Sequence, residues 1–258
     1  MGSRHYHFPV RWGLTVAITS ASLMIPSSTF GAEWGVGVGA ASTQKPYKDM
    51  SRDTTPVPLL YFENDYLHFF GTEGEIKLPA LRFGETQRVN FGLIGRYEGS
   101  GYDADDASVL DGMTKRKSGF WGGAKAEWQS SWVNISADWT HDLSGNSKGQ
   151  RVNIGAKRTW LLGDFALTPR VVATWHDKKY VDYYYGVRAD EVRDWRQAWQ
   201  GSSSFSAEFG LRSVYQFSSH HSLMLDLEAT RLSSEVKDSP LVDRSTEDRI
   251  FLGYLYRF

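Results

Sequence analysis

The chain has 258 residues, no cysteine and a formal net charge of -1. That suits a single all-β domain and excludes disulfides, thiolate metal sites, cysteine nucleophiles and the basic field that a nucleic-acid partner requires. Aromatic residues make up 14% of the chain, yet mean hydropathy is negative, so apolar and polar residues must be finely interleaved, as in a wall with lipid on one side and water on the other.

Residues 1–32 read as a secretory leader. Arg4, His5, His7 and Arg11 give a basic start, residues 12–26 are apolar or small apart from hydroxyl side chains, and Phe30-Gly31-Ala32 offers a small-residue cleavage site after Gly31 or Ala32. Pro26 and the hydroxyl residues leave this run short of the ~20 apolar residues of a membrane helix. No other window approaches that length, so a mature chain of residues 33–258 that enters a membrane must cross it as strands.

The first strand alternates Trp34, Val36, Val38 and Ala40 with Gly35, Gly37 and Gly39. The glycine spacing is two, without the Gly-x-Gly-x-x-Gly pattern or following helix of a phosphate loop, so it predicts a strand with a bare inner face. A second strand covers 56–62, with prolines at its start. A long extended run, 66–83, carries Gly71 and Gly74 at its centre. Thereafter each run shows one greasy and one wet face. The inward charges are Arg88, Arg96, Lys125, Glu127, Asp138, Lys157, Arg170, Glu208, Arg212, Asp226 and Glu228. Short turns alternate with long polar loops over 99–117, 177–203 and 233–248, the pattern of a transmembrane antiparallel β-barrel with tight periplasmic turns and longer extracellular loops. The runs number eleven, and a single-chain barrel with both ends in the periplasm needs an even number. Folding 66–83 into a hairpin at Gly71-Thr72-Glu73-Gly74 gives twelve strands; the alternative is ten, with part of this region acting as a plug or cap.

In the last run Ile250, Leu252, Tyr254, Tyr256 and Phe258 share one face up to the final carboxylate. A frayed, solvated chain end has no use for such a face, whereas a bilayer boundary does. Gly253, Tyr254, Tyr256 and Phe258 resemble the C-terminal insertion signal of bacterial outer-membrane barrels, except that Phe251 stands where a polar residue is usual. Together with Gly35-Val36-Gly37-Val38-Gly39, Pro46-Tyr47, Pro56-Val57-Pro58, Tyr183-Tyr184-Tyr185-Gly186-Val187, Thr230-Arg231-Leu232 and Asp238-Ser239-Pro240-Leu241-Val242, this end resembles the MipA/OmpV outer-membrane protein family over nearly the whole mature chain. The resemblance implies the outer membrane of a Gram-negative bacterium. For the MipA branch it implies a scaffold linking a murein lytic transglycosylase to a murein polymerase. The OmpV branch implies a porin-like channel or an adhesin instead.

Inward charges in a narrow lumen are costly unless paired, so most are expected to form ion pairs across neighbouring strands, as a filling or as the lining of a selective pore. Tyr183, Tyr184, Tyr185, Gly186 and Val187 are candidates for a plug, lid or partner patch, with Asp238, Ser239 and Pro240 as a turn beside them. His141-Asp142 and His176-Asp177 are adjacent pairs whose side chains point to opposite strand faces, so neither builds a catalytic dyad. The acidic group Asp103, Asp105, Asp106 and Asp111 lacks the EF-hand offsets, and His220-His221 lies in a solvated turn. The expectation is therefore a non-enzymatic protein with no cofactor, no metal and no nucleic-acid partner, whose partners are outer-membrane lipid and the murein enzymes.

Overall fold

The structure is a computed structural model that describes residues 31–258; residues 1–30 of the leader reading lie outside the described residues. Thirteen strand segments follow one another: β1 (Glu33–Gln44), β2 (Asp53–Glu63), β3 (Leu67–Phe70), β4 (Glu73–Phe83), β5 (Gln87–Glu98), β6 (Gly119–Gln129), β7 (Asn134–Asp142), β8 (Gln150–Lys157), β9 (Trp160–Leu162), β10 (Phe165–His176), β11 (Ser204–Gln216), β12 (His221–Leu232) and β13 (Thr246–Arg257). Neighbours pair antiparallel, β10 pairs with β11, and β13 returns to β1, so the sheet closes. β8 and β9 both lie on β10, from Lys157 against Arg170 to Leu162 against Phe165, without change of register. They are one strand with a local break. The Arg158 N–H donates to the Pro169 carbonyl at 3.3 Å, and proline has no N–H to return. The wall is therefore twelve antiparallel strands, as the alternation predicted.

The extra hairpin forms where the glycines place it. Phe70 pairs with Glu73, and Gly71 takes φ +62° in the tight turn between them. β3 covers only residues 61–63 of β2, and its four residues fall well short of the ~9–11 of a crossing. This hairpin thus fills the wall at one end only, and the rest of β2 has no strand on that side.

Outward faces carry the apolar residues. Trp34, Val38, Phe209, Ile250 and Leu252 are all exposed, which a closed sheet tolerates when acyl chains surround it. Both ends of the described residues and the short turns 64–66, 84–86, 130–133, 163–164 and 217–220 gather at one end, with the longer connections at the other. In outer-membrane barrels the short-turn end faces the periplasm. Aromatic rings collect there: Trp34 stacks on Phe258 at 4.6 Å between centroids and Phe165 on Tyr215 at 4.5 Å, forming part of a boundary girdle.

The seam between β13 and β1 explains the odd residue of the terminal signature. Phe251 points inward and is buried, and an added Cβ at Gly39 or Gly253 would meet its ring at 2.8 Å or 2.6 Å. Of the bare inner face of β1, Gly39 is the position that receives this ring.

Candidate functional site

The bore has two parts, a packed plug at the loop end and an open cavity at the turn end. The plug is assembled from four connections. Its core contains Tyr47 and Met50 from the β1–β2 loop, Val109, Leu110 and Met113 from the β5–β6 loop, Tyr180, Val181, Tyr184 and Tyr185 from α1 (Lys178–Tyr185), and Val236 and Leu241 from the β12–β13 loop, resting on Trp121 of β6. α1 starts where it does because the Asp177 carboxylate accepts the Tyr180 N–H at 2.9 Å, capping its first turn. Asp142 likewise works locally, accepting the N–H groups of Ser144, Gly145 and Ser147. The Asp of each His-Asp pair thus shapes a loop.

The tyrosine run is stitched into this core by its backbone. The Tyr183 carbonyl accepts Arg116 Nε at 2.7 Å, the Tyr184 carbonyl accepts the Tyr47 hydroxyl at 3.1 Å, and the Tyr185 carbonyl accepts the Ser239 hydroxyl at 2.7 Å. Val187 bridges to Trp199. Gly186 permits the close turn after α1, since a Cβ there would lie 2.2 Å from the Asp182 carbonyl oxygen. Of the neighbouring turn, Ser239 is buried, Pro240 is half-buried and Asp238 stays exposed behind α2 (Ser234–Lys237). Five residues of the aromatic run and Ser239 therefore come together, but as an interior and not as an open patch.

One ion pair locks the plug. Arg116 and Glu191, each 1% exposed, face each other through two hydrogen bonds of 2.8 Å. Burial alone would raise the Glu191 pKa, but hydrogen bonds from Arg116 and from the backbone of Arg188 and Thr114 hold it down at about 2. Arg196, also buried, donates to the carbonyls of Val109 and Glu191, both at 2.6 Å. Lys45 reaches from the end of β1 to the carbonyl of Gly101 at 2.7 Å.

Below the plug the strands contribute charge. Arg96 meets Glu98 at 3.0 Å, Asp138 at 3.2 Å and Glu73 at 3.8 Å. Lys125 pairs with Glu75 at 3.1 Å and Lys157 with Glu127 at 2.9 Å. On the next strands Arg170, directly beside Lys157, gathers Glu208 at 2.8 Å, Asp226 at 3.0 Å and Glu228 at 2.6 Å, with Arg212 on Asp226 and Arg249 on Glu228. Arg88 donates to Gln129 at 3.1 Å. Glu73, Glu75, Glu98, Arg151 and Arg249 were not among the expected lumen charges. Arg151 pairs with Glu98 and lies over the Trp121 ring at 4.4 Å, joining the charged layer to the plug.

The cavity at the turn end measures about 1790 Å³. Glu63, His68, Lys77, Lys125, Lys157 and Arg212 line it, and residues of the turns 64–65, 84–86, 130–133, 163–164 and 218–219 ring its mouth. The arrangement is a blind vestibule, shut outward and open on the side of the short turns.

A protein-family model described as MltA-interacting protein MipA matches residues 36–258. The MltA-interacting protein of Escherichia coli (strain K12) is 27% identical over 249 residues, covering 95% of this chain and 96% of that protein. The outer membrane protein OmpV of Vibrio cholerae is 27% identical over 234 residues, covering 89% and 88%. Among solved structures, OmpT of Vibrio cholerae aligns over 91% of this chain and all of its own, with 8% identity and a TM-score of 0.43. With a family model spanning the barrel from β1 to the last residue, the chain belongs to the MltA-interacting protein MipA family and is an outer-membrane β-barrel protein.

Proposed function

We propose that this protein is a non-enzymatic scaffold of the outer membrane that holds a murein lytic transglycosylase, and through it a murein polymerase, beside the cell wall. The observation that carries the reading is the asymmetry of the bore: the loop end is sealed by a buried aromatic core, while the turn end presents a wide mouth and a rim of short connections. A barrel built for passage needs two openings; one built for holding needs a fixed frame and one accessible end. The relative named MltA-interacting protein supplies the class of partner. In this mechanism the lipid-embedded wall fixes height and orientation, and the periplasmic rim supplies the contact. The test is co-purification in detergent from native envelopes. The tagged barrel is expected to retain a lytic transglycosylase, and a protein that retains neither a murein hydrolase nor a synthase overturns the reading.

A selective channel is the second reading, favoured by the size of the vestibule. It requires the plug to move. Purified protein in planar bilayers is expected to be electrically silent; steady single-channel steps from the intact chain favour the channel instead.

A further inference from the structure

Three strand segments run on past the end of a neighbour, and their backbones differ in one respect. Along a strand the N–H and C=O groups of alternate residues point to alternate sides. Gly71 N–H donates to the Leu60 carbonyl at 3.0 Å, so Leu60 faces the β3 side, and so do Pro58 and Pro56 beyond the point where β3 ends. The Lys77 N–H donates to the Tyr66 carbonyl at 2.7 Å, so Lys77 also faces the β3 side, and just past it the register on β5 shifts between Leu78 and Leu81, a bulge that holds Pro79. Proline at these positions leaves no donor to recruit another strand, a common way of blunting an edge.

The third segment is not blunted. β9 and its lead-in extend beyond β7, whose last partner on β8 is Lys157 against Asn134. Because Arg158 donates to Pro169 on β10, Arg158, Trp160 and Leu162 face β10, and Thr159 and Leu161 turn their N–H and C=O groups to the vacant side. No proline, bulge or charge occupies those two positions. Trp160 and Leu162 stand on the outward face. Leu161, opposite buried Ala166, stands on the cavity side and lines the vestibule, yet is 69% exposed. Acyl chains account for the outward pair; they do not account for Leu161.

We infer that the free edge of residues 159–161 is a docking strand on the periplasmic rim, where an extended segment of the lytic transglycosylase adds to the sheet. The partner supplies main-chain donors and acceptors to Thr159 and Leu161 and an apolar side chain to Leu161, the mode of strand addition. The occupant follows from position: this edge lies at the turn end beside the vestibule mouth, the end that faces the periplasm and the partner of the scaffold reading. The inference rests on the scaffold reading and adds the place of contact.

The test uses the full-length barrel in detergent and the purified lytic transglycosylase. Leu161→Pro removes a donor that the barrel itself does not use. It is expected to weaken binding about ten-fold, the scale of one or two main-chain hydrogen bonds. The folded barrel should still migrate faster than its heated form in SDS gels. Leu161→Lys keeps the backbone but adds a gatekeeper charge, so it reads out binding even where the proline disturbs folding. Ser219→Lys, which adds the same charge to another turn of the rim, is the control and is expected to bind as wild type. If wild type binds and both Leu161 variants bind equally well, the docking strand is wrong and the scaffold stands. Wild type that binds no transglycosylase sinks the scaffold reading and this inference with it. Loss of a barrel–barrel dimer in the Leu161 variants, with transglycosylase binding unchanged, assigns the edge to a second copy and also overturns the proposal.

Discussion

At the loop end, tyrosines and aliphatic side chains from four connections fill the bore; at the turn end, the strands surround an open cavity with ion pairs. The two chemistries suit their supports. Apolar packing is non-directional, so loops that meet from four places can share one core, which the buried Arg116–Glu191 pair then fixes. Ion pairs in a confined lumen need fixed distances, and a hydrogen-bonded sheet supplies them: Lys125 faces Glu75 and Lys157 faces Glu127 because those residues lie on rigid staves. The outer closure is thus a separate small interior resting on the barrel, and the inner wall is the barrel itself.

That division is tested most severely at Arg170, which joins three carboxylates on two neighbouring strands. Arg170→Met leaves buried acids short of a partner, and about 3–5 kcal/mol of barrel stability is expected to go. The temperature at which the folded band disappears in SDS gels measures it. A smaller effect, confined to the plug, is expected for Arg116→Met, which strands the Glu191 carboxylate: protease should cut loop residues 186–200 while the barrel keeps its folded mobility. The same pair gives a pH dependence. The folded pKa of Glu191 is depressed to about 2 from an ordinary 4.5, so its contribution is complete above the ordinary value and is lost as pH falls through about 2. Loop protection followed by hydrogen exchange should decline over that window in wild type and lose this component in Arg116→Met. The mildest change is Tyr47→Phe, which removes the hydroxyl bond to the Tyr184 carbonyl and should cost the plug about 1 kcal/mol, again without touching the wall.

The wall was readable from the chain because alternation is a local property. Trp34 to Ala40 and Ile250 to Phe258 announce their outward faces, and Gly71 marks the hairpin turn that makes the strand number even. The plug was readable only as an aromatic cluster. That Tyr185 packs with Tyr47 and hangs by its carbonyl from Ser239 depends on loops far apart in sequence, and no periodicity encodes such meetings. Among the charges, Glu98 and Arg151 escape the alternation because they lie at strand ends, where the pattern fades. Glu73 and Glu75 were hidden by the glycine turn beside them. Arg170 was visible as inward, but its reach to Asp226 and Glu228 crosses a whole strand, a distance that side-chain length allows and alternation does not report.

The fit of Phe251 over Gly39 and Gly253 bears on how the cylinder shuts. Joining the first and last staves is the step at which a barrel can close out of step, and a slide of one residue would exchange the inner and outer faces of β13. In that arrangement the large ring would be turned toward the acyl chains and Tyr254 would be driven inward against a row of glycines with nothing shaped to receive it. The notch therefore acts as a key at the last joint: only the correctly aligned seam has room for the ring.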